Sequence, residues 1–106
     1  MGKLKRHYKN VVARTWNNAN RCENDREHLS NAAMGLAGEA GEVLDCVKKT
    51  LYHKPKDYND DVLLELGDVM YYWLKVKELY GFSLDQILEA NRNKLFDRYN
   101  VDEVRS

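Results

Sequence analysis

Glu65 and Asp68 are the only charged residues in the otherwise uncharged run Val62-Leu63-Leu64-Glu65-Leu66-Gly67-Asp68-Val69-Met70-Tyr71-Tyr72-Trp73-Leu74. Ionised carboxylates buried without a partner carry a desolvation cost large enough to need a compensating charge. On a helix, three residues of separation place two side chains about 60° apart, so both acids point into whatever this run packs against. An earlier segment, Gly38-Glu39-Ala40-Gly41-Glu42-Val43, repeats the spacing with two glutamates. Two such pairs make a four-carboxylate constellation, and the simplest compensating charge is a metal ion. All four donors are oxygen, with no imidazole or thiolate among them, which is the ligand set of a hard cation such as Mg²⁺ or Mn²⁺ rather than zinc or copper.

Each pair also has a plainer reading. Glu39 and Glu42 fall on the flank of an apolar stripe and could be solvated surface acids. Gly35, Gly38 and Gly41 around them each cost about 0.8 to 1 kcal/mol of helix stability relative to alanine, which points to close approach of another helix or a ligand. For Glu65 and Asp68 the alternative is a buried salt bridge to Lys48, Lys49, Lys94 or Arg98. Further along, Asn91, Lys94 and Arg98 cluster within about 60° on one helix edge and can face the same cavity. A divalent ion that neutralises carboxylates and bridges phosphate oxygens, beside a lysine, an arginine and an amide for the remaining charge, suits a nucleoside triphosphate. The competing account of Lys94 and Arg98 is snorkelling from the last turns of a helix, where positive charge is favoured by the dipole.

The elements that must position these residues are helical throughout. A single proline, Pro55, and the scarcity of β-branched alternation predict an all-α, antiparallel four-helix domain formed by residues 1–106 as one unit. A first helix over Leu4 to Asn18 carries Leu4, Tyr8, Val11, Val12 and Trp16 as its stripe, and Asn18 to Ser30 reads as a polar connection. A second helix begins near Ser30 or Asn31 and runs to about His53, with Leu36, Ala40, Val43, Leu44, Val47 and Leu51 on one face. Pro55 and the following turn-rich residues break the chain. The third helix, about Asp60 to Tyr80, is the most apolar and is expected at the centre, ended by Gly81. Ser83 with Gln86 reads as a capping box opening a fourth helix to about Tyr99, and the tail from Asn100 is expected to fray.

Seventeen basic residues balance seventeen acidic ones, and the pI near 6.8 gives no general drive toward nucleic acid or anionic membrane. No apolar stretch reaches the ~20 residues that span a bilayer, and no signal core follows the N-terminus, so a cytoplasmic protein is expected. Cys22 and Cys46 are too few and too unpatterned for a disulfide framework or zinc site and read as ordinary thiols. His7, His28 and His53 stand in no ligand spacing.

At Glu39-Ala40-Gly41-Glu42 and Glu65-Leu66-Gly67-Asp68, separated by 22 residues and followed by Asn91-Arg92-Asn93-Lys94-Leu95-Phe96-Asp97-Arg98-Tyr99, the chain resembles the MazG-like all-α nucleoside triphosphate pyrophosphohydrolases, relatives of the dimeric dUTPases. The resemblance covers about residues 30 to 99. Many members open the first pair with a double glutamate, whereas here Gly38 precedes Glu39. The resemblance implies cleavage of (deoxy)nucleoside triphosphates between the α and β phosphates, with Mg²⁺, replaceable by Mn²⁺, held by Glu39, Glu42, Glu65 and Asp68. It implies a proton-accepting carboxylate, Glu39 or Glu42, and assembly as a dimer or tetramer. Phosphate contacts would fall to Asn91, Lys94 and Arg98, more weakly to Lys49, and base recognition to Trp16 and Asn31 near the first helix. Two other readings compete: a non-enzymatic oligomerisation or adaptor module whose acids pair with lysines, and a di-iron carboxylate bundle. The latter normally carries Glu-x-x-His, and here the residues three after Glu39, Glu42 and Glu65 are Glu42, Asp45 and Asp68.

Overall fold

A computed structural model describes residues 2–19, 22–52 and 57–99. Four helices account for nearly all of them, with no strand among the described residues: α1 (Gly2–Ala19), α2 (Asp25–Tyr52), α3 (Asn59–Tyr80) and α4 (Leu84–Tyr99). The expected break at Pro55 and the tail from Asn100 lie outside the described residues.

Local chemistry sets the helix ends. α2 starts five residues earlier than the expected Ser30, because Asn24 caps it: its side-chain oxygen accepts the Glu27 N–H at 3.0 Å, while the Glu27 carboxylate accepts the Glu23 N–H at 2.7 Å. Asp25 and Glu27 in this first turn also complement the helix dipole. The polar character that made residues 18–30 look like a connection is thus partly the character of a capped N-terminus. At the other end of α3, Gly81 adopts the left-handed conformation with φ 74°. Its N–H and that of Phe82 donate to the carbonyls of Glu78 and Lys77 at 3.0 and 3.1 Å. The capping box of α4 forms as expected: Gln86 Oε1 accepts the Ser83 N–H at 2.7 Å, and Ser83 Oγ accepts the Gln86 N–H at 3.1 Å.

α2 and α3 are the principal packed pair. Gly35 lies against Tyr72, Glu39 reaches Glu65 and Asp68, and Thr50 and Leu51 share a hollow with Asn59 and Val62. Numbers therefore rise on one helix as they fall on the other, and the pair is antiparallel. Close approach explains only the first of the three glycines: a Cβ at Gly35 would run into the Tyr72 ring, whereas Gly38 and Gly41 face open space. Tyr72 cannot simply swing aside, since its ring is wedged against Trp16 and Tyr71. Gly35→Ala is accordingly expected to cost about 1 to 3 kcal/mol, the range for an overpacked contact. A fall in the urea midpoint at unchanged m-value would show it, and an unchanged midpoint would mean the pair yields there freely.

α1 is pinned by Trp16, which has no exposed surface, and by Val12 one turn before it; with Ala32 and Cys46 these are the buried apolar residues among those described. α3 was expected at the centre, yet none of its residues is fully buried, and Leu63, Leu64, Leu66 and Met70 remain exposed. The cause is architectural. α4 does not close over the α2–α3 pair, and the radius of gyration is 16.9 Å against about 13 Å for a compact chain of this length. One copy of the chain therefore leaves the apolar face of its most hydrophobic helix uncovered.

Candidate metal and nucleotide site

The antiparallel packing of α2 on α3 brings Glu39, Glu65 and Asp68 together, with one carboxylate oxygen from each lying within 4.8 Å of the others. Glu39 and Glu65 are half-buried and Asp68 is exposed. Such crowding of like charge has an electrostatic signature. Burial first, then a hydrogen bond to Glu65 and the charges of Asp68, Glu65 and Glu42, raise the Glu39 carboxyl above its ordinary value of 4.5. Glu65 Oε2 is buried with no hydrogen-bond partner. Among the described residues, none of Lys48, Lys49, Lys94 and Arg98 pairs with Glu65 or Asp68, so the salt-bridge alternative finds no support. An all-oxygen donor set with an orphaned buried carboxylate oxygen fits a hard divalent cation.

Of the other expected site residues, Glu42 stands exposed one turn beyond Glu39, outside the three-carboxylate cluster but close enough to raise the Glu39 carboxyl. Asn91, Lys94 and Arg98 are exposed on α4, which is not packed over the cluster in a single chain. Lys49 is exposed near Cys46, whose thiol is pushed up mainly by burial, in keeping with an ordinary thiol. Asn31 is half-buried, its side-chain amide directed at Cys22 Sγ at 3.2 Å. Trp16 is a packing centre rather than an open surface. Its Nε1–H donates to His28 Nδ1 at 3.0 Å, Tyr71 and Tyr72 lie 6.2 and 6.1 Å away between centroids, and Lys75 Nζ sits 5.2 Å from the centre of its ring.

A cavity of about 570 Å³ opens between α1 and α3, lined by Tyr8, Thr15 and Tyr71 and, at its acidic side, by Glu39 and Asp68. Sequence reasoning missed these hydroxyl-bearing residues. The available signal was the spacing of Tyr8, Val11 and Thr15 at i, i+3 and i+7, which puts them on one face of α1.

The Glu39 shift fixes a pH dependence. Because its folded value is raised, Glu39 contributes stability that is fully present below the unfolded carboxylate range and is lost as pH rises through the folded value. In chelator, the thermal midpoint of the native chain is expected to fall behind that of Glu39→Gln as the pH is taken from about 4 to 7. Mg²⁺ should close the gap by stabilising the native chain alone; parallel curves at all pH values would show that these carboxylates do not repel one another.

These features define an all-α protein with a three-carboxylate cluster set on two antiparallel helices beside a cavity of about 570 Å³. Residues 26–101 match the MazG nucleotide pyrophosphohydrolase domain. The "Gene 37 protein" of Mycobacterium phage L5 is 41% identical over 76 residues, covering 68% of this chain and 67% of that protein. No solved structure matches the chain. The chain belongs to the MazG nucleotide pyrophosphohydrolase family, whose members act on nucleoside triphosphates with a divalent metal. Among the described residues, no helix is long and apolar enough to cross a membrane.

Proposed function

We propose that this chain hydrolyses (deoxy)nucleoside triphosphates between the α and β phosphates to a nucleoside monophosphate and pyrophosphate, in a Mg²⁺-dependent reaction that cleans the nucleotide pool of the cytoplasm. The observation that carries this reading is the cluster of Glu39, Glu65 and Asp68, with its orphaned buried oxygen and, among the described residues, no paired lysine or arginine. Glu39, Glu65 and Asp68 would hold the cation, with Glu42 joining from the next turn. When bound, Mg²⁺, or Mn²⁺ in its place, supplies positive charge that polarises the phosphates and offsets the charge of the leaving pyrophosphate.

The chain's own residues do the rest. The carboxylates on α2 and α3 would hold the cation at the acidic side of the cavity, so that the triphosphate end would lie there. Glu42, or Glu39, accepts the proton of the attacking water as the bridging phosphorus–oxygen bond breaks. Asn91, Lys94 and Arg98 neutralise the triphosphate and pyrophosphate, with Lys49 as a weaker contributor. For base recognition, Trp16 supports the cavity wall by holding the Tyr71 ring, and Asn31 acts from the second turn of α2.

Self-association as a dimer or tetramer belongs to the same proposal. Its support is the exposed apolar row on α2 and α3, including Val47, Leu51, Leu63 and Leu66, and a further hollow of about 400 Å³ among those residues. Covering that face with a second copy also gives α4 something to pack against and a route for its basic residues toward phosphate.

Product chromatography tests the reaction. With ribo- and deoxynucleoside triphosphates, monophosphate and pyrophosphate are expected in Mg²⁺ and not in chelator. Intact triphosphates under both Mg²⁺ and Mn²⁺ would leave the acids as structural elements of a helical adaptor.

A further inference from the structure

The cavity between α1 and α3 is continuous with the carboxylate cluster, since Glu39 and Asp68 line it together with Tyr8, Val11, Thr15 and Tyr71. Its volume of about 570 Å³ falls within the 300 to 1,000 Å³ typical of small-molecule sites. Resting on the proposed hydrolase reading, a triphosphate held at the acidic side leaves the rest of the cavity for the nucleoside.

The wall contains one hydrogen bond whose direction the neighbouring helix backbone biases. Thr15 Oγ1 lies 2.8 Å from the Val11 carbonyl and 3.2 Å from that of Val12. Both oxygens only accept, so the single hydroxyl proton of Thr15 is engaged by the helix backbone. With that proton held on the 2.8 Å contact to the Val11 carbonyl, Thr15 is the acceptor and Tyr71 the donor in their 2.9 Å contact. The Tyr71 proton is consequently occupied, and its oxygen presents only lone pairs to the cavity. The ring that carries it is fixed: Trp16 packs on one side and Tyr72 meets it edge-on at 5.2 Å. A rigid, acceptor-only oxygen in a largely apolar wall discriminates by the hydrogen-bonding sign of what faces it.

We propose that Tyr71, with its proton committed to Thr15, is a specificity-determining residue that selects bases carrying an amino group at the pyrimidine 4-position or purine 6-position, cytosine and adenine, over those carrying a carbonyl at that position, uracil, thymine and guanine. Cytosine N4 and adenine N6 donate to Tyr71, whereas a carbonyl oxygen opposite it sets two acceptors against each other. Thr15 is the positioning residue: its own proton stays on the helix backbone, and it acts by orienting the Tyr71 proton.

The test measures kcat/KM for dCTP, dATP, dUTP and dTTP with Mg²⁺ in the native chain, Tyr71→Phe and Thr15→Val. It also measures binding of the non-hydrolysable α,β-methylene analogues of dCTP and dUTP by calorimetry. The native chain is expected to favour the amino bases by about tenfold or more. Tyr71→Phe should bring the two classes to within about twofold of each other. Thr15→Val frees the Tyr71 proton to donate, and the preference should move toward the carbonyl bases, an effect that a merely structural threonine would not produce. Turnover without an amino preference, or a preference unchanged in both variants, overturns the inference and leaves the hydrolase reading standing. Amino-selective binding of the analogues with no hydrolysis of any triphosphate overturns the hydrolase reading and leaves the inference standing. Neither binding nor hydrolysis overturns both.

Discussion

Replacing Glu65 with glutamine is expected to lower kcat/KM for any accepted triphosphate by at least about 10³-fold, while the helical circular dichroism stays unchanged. On the proposed function, the size follows from removing a charged donor to the cation: several kcal/mol of transition-state stabilisation is lost, and each 1.36 kcal/mol is a factor of ten. Glutamine preserves volume and the ability to hydrogen-bond to Glu39, so the fold has no reason to suffer. It should gain. Glu65 carries a buried oxygen with no partner and sits beside two other acids, so in chelator the variant should melt higher than the native chain, by about 4 °C for each kcal/mol of repulsion removed. Loss of activity together with gain of metal-free stability is the joint signature of a cation site, because a structural acid would lose stability on the same change. A variant that turns over within tenfold of the native rate would remove Glu65 from the metal-holding set.

The second large effect is on folding. Trp16→Ala is expected to cost about 3 to 5 kcal/mol, the range for deleting a large buried aromatic side chain, against a total stability of about 5 to 15 kcal/mol for a domain. Trp16 is wholly enclosed, fills the junction of α1 with α2 and α3, and satisfies its indole N–H on His28. Its removal opens a cavity under Tyr71 and Tyr72 and deprives Lys75 of the ring it covers. Chemical denaturation of native chain, Trp16→Phe and Trp16→Ala would order the three, with phenylalanine intermediate because it keeps a ring and loses the indole hydrogen bond. A cost below about 1 kcal/mol for alanine would mean that α1 docks without it.

The helices were legible in the sequence because their signals are local: the capping box at Ser83, the terminator at Gly81 and the apolar periodicity each act within a turn or two. The early start of α2 was missed because Asn24 and Glu27 sit among charged residues that also suit a loop, and only the pattern of caps separates the two. Glu65 and Asp68 were legible for a different reason, since acids in an apolar run stand out against their surroundings, and Glu39 was legible only through the repeat of their spacing with Glu42. What the sequence could not reveal was arrangement across helices. The enclosed position of Trp16, the Thr15–Tyr71 hydrogen bond and the cavity beside Asp68 depend on how α1 lies over α3, and no spacing within one helix encodes that. The openness of the single chain was likewise invisible, because an apolar stripe on α3 is the same whether its own α4 or another copy is to cover it.

The antiparallel pairing of α2 with α3 also bears on how the chain reaches its final form. These helices are neighbours in sequence, so Glu39 meets Glu65 and Asp68 after closure of a short segment, a contact of low order that costs little chain entropy and forms quickly. Docking of α1 through Trp16 needs the pair already in place, because Tyr71 and Tyr72 on α3 and His28 on α2 make up its seat. The topology therefore favours an order of events in which the acidic cluster is assembled first. On the proposed function, a divalent cation present during folding would meet Glu39, Glu65 and Asp68 before the cavity between α1 and α3 exists, and would speed the hairpin step far more than the docking of α1.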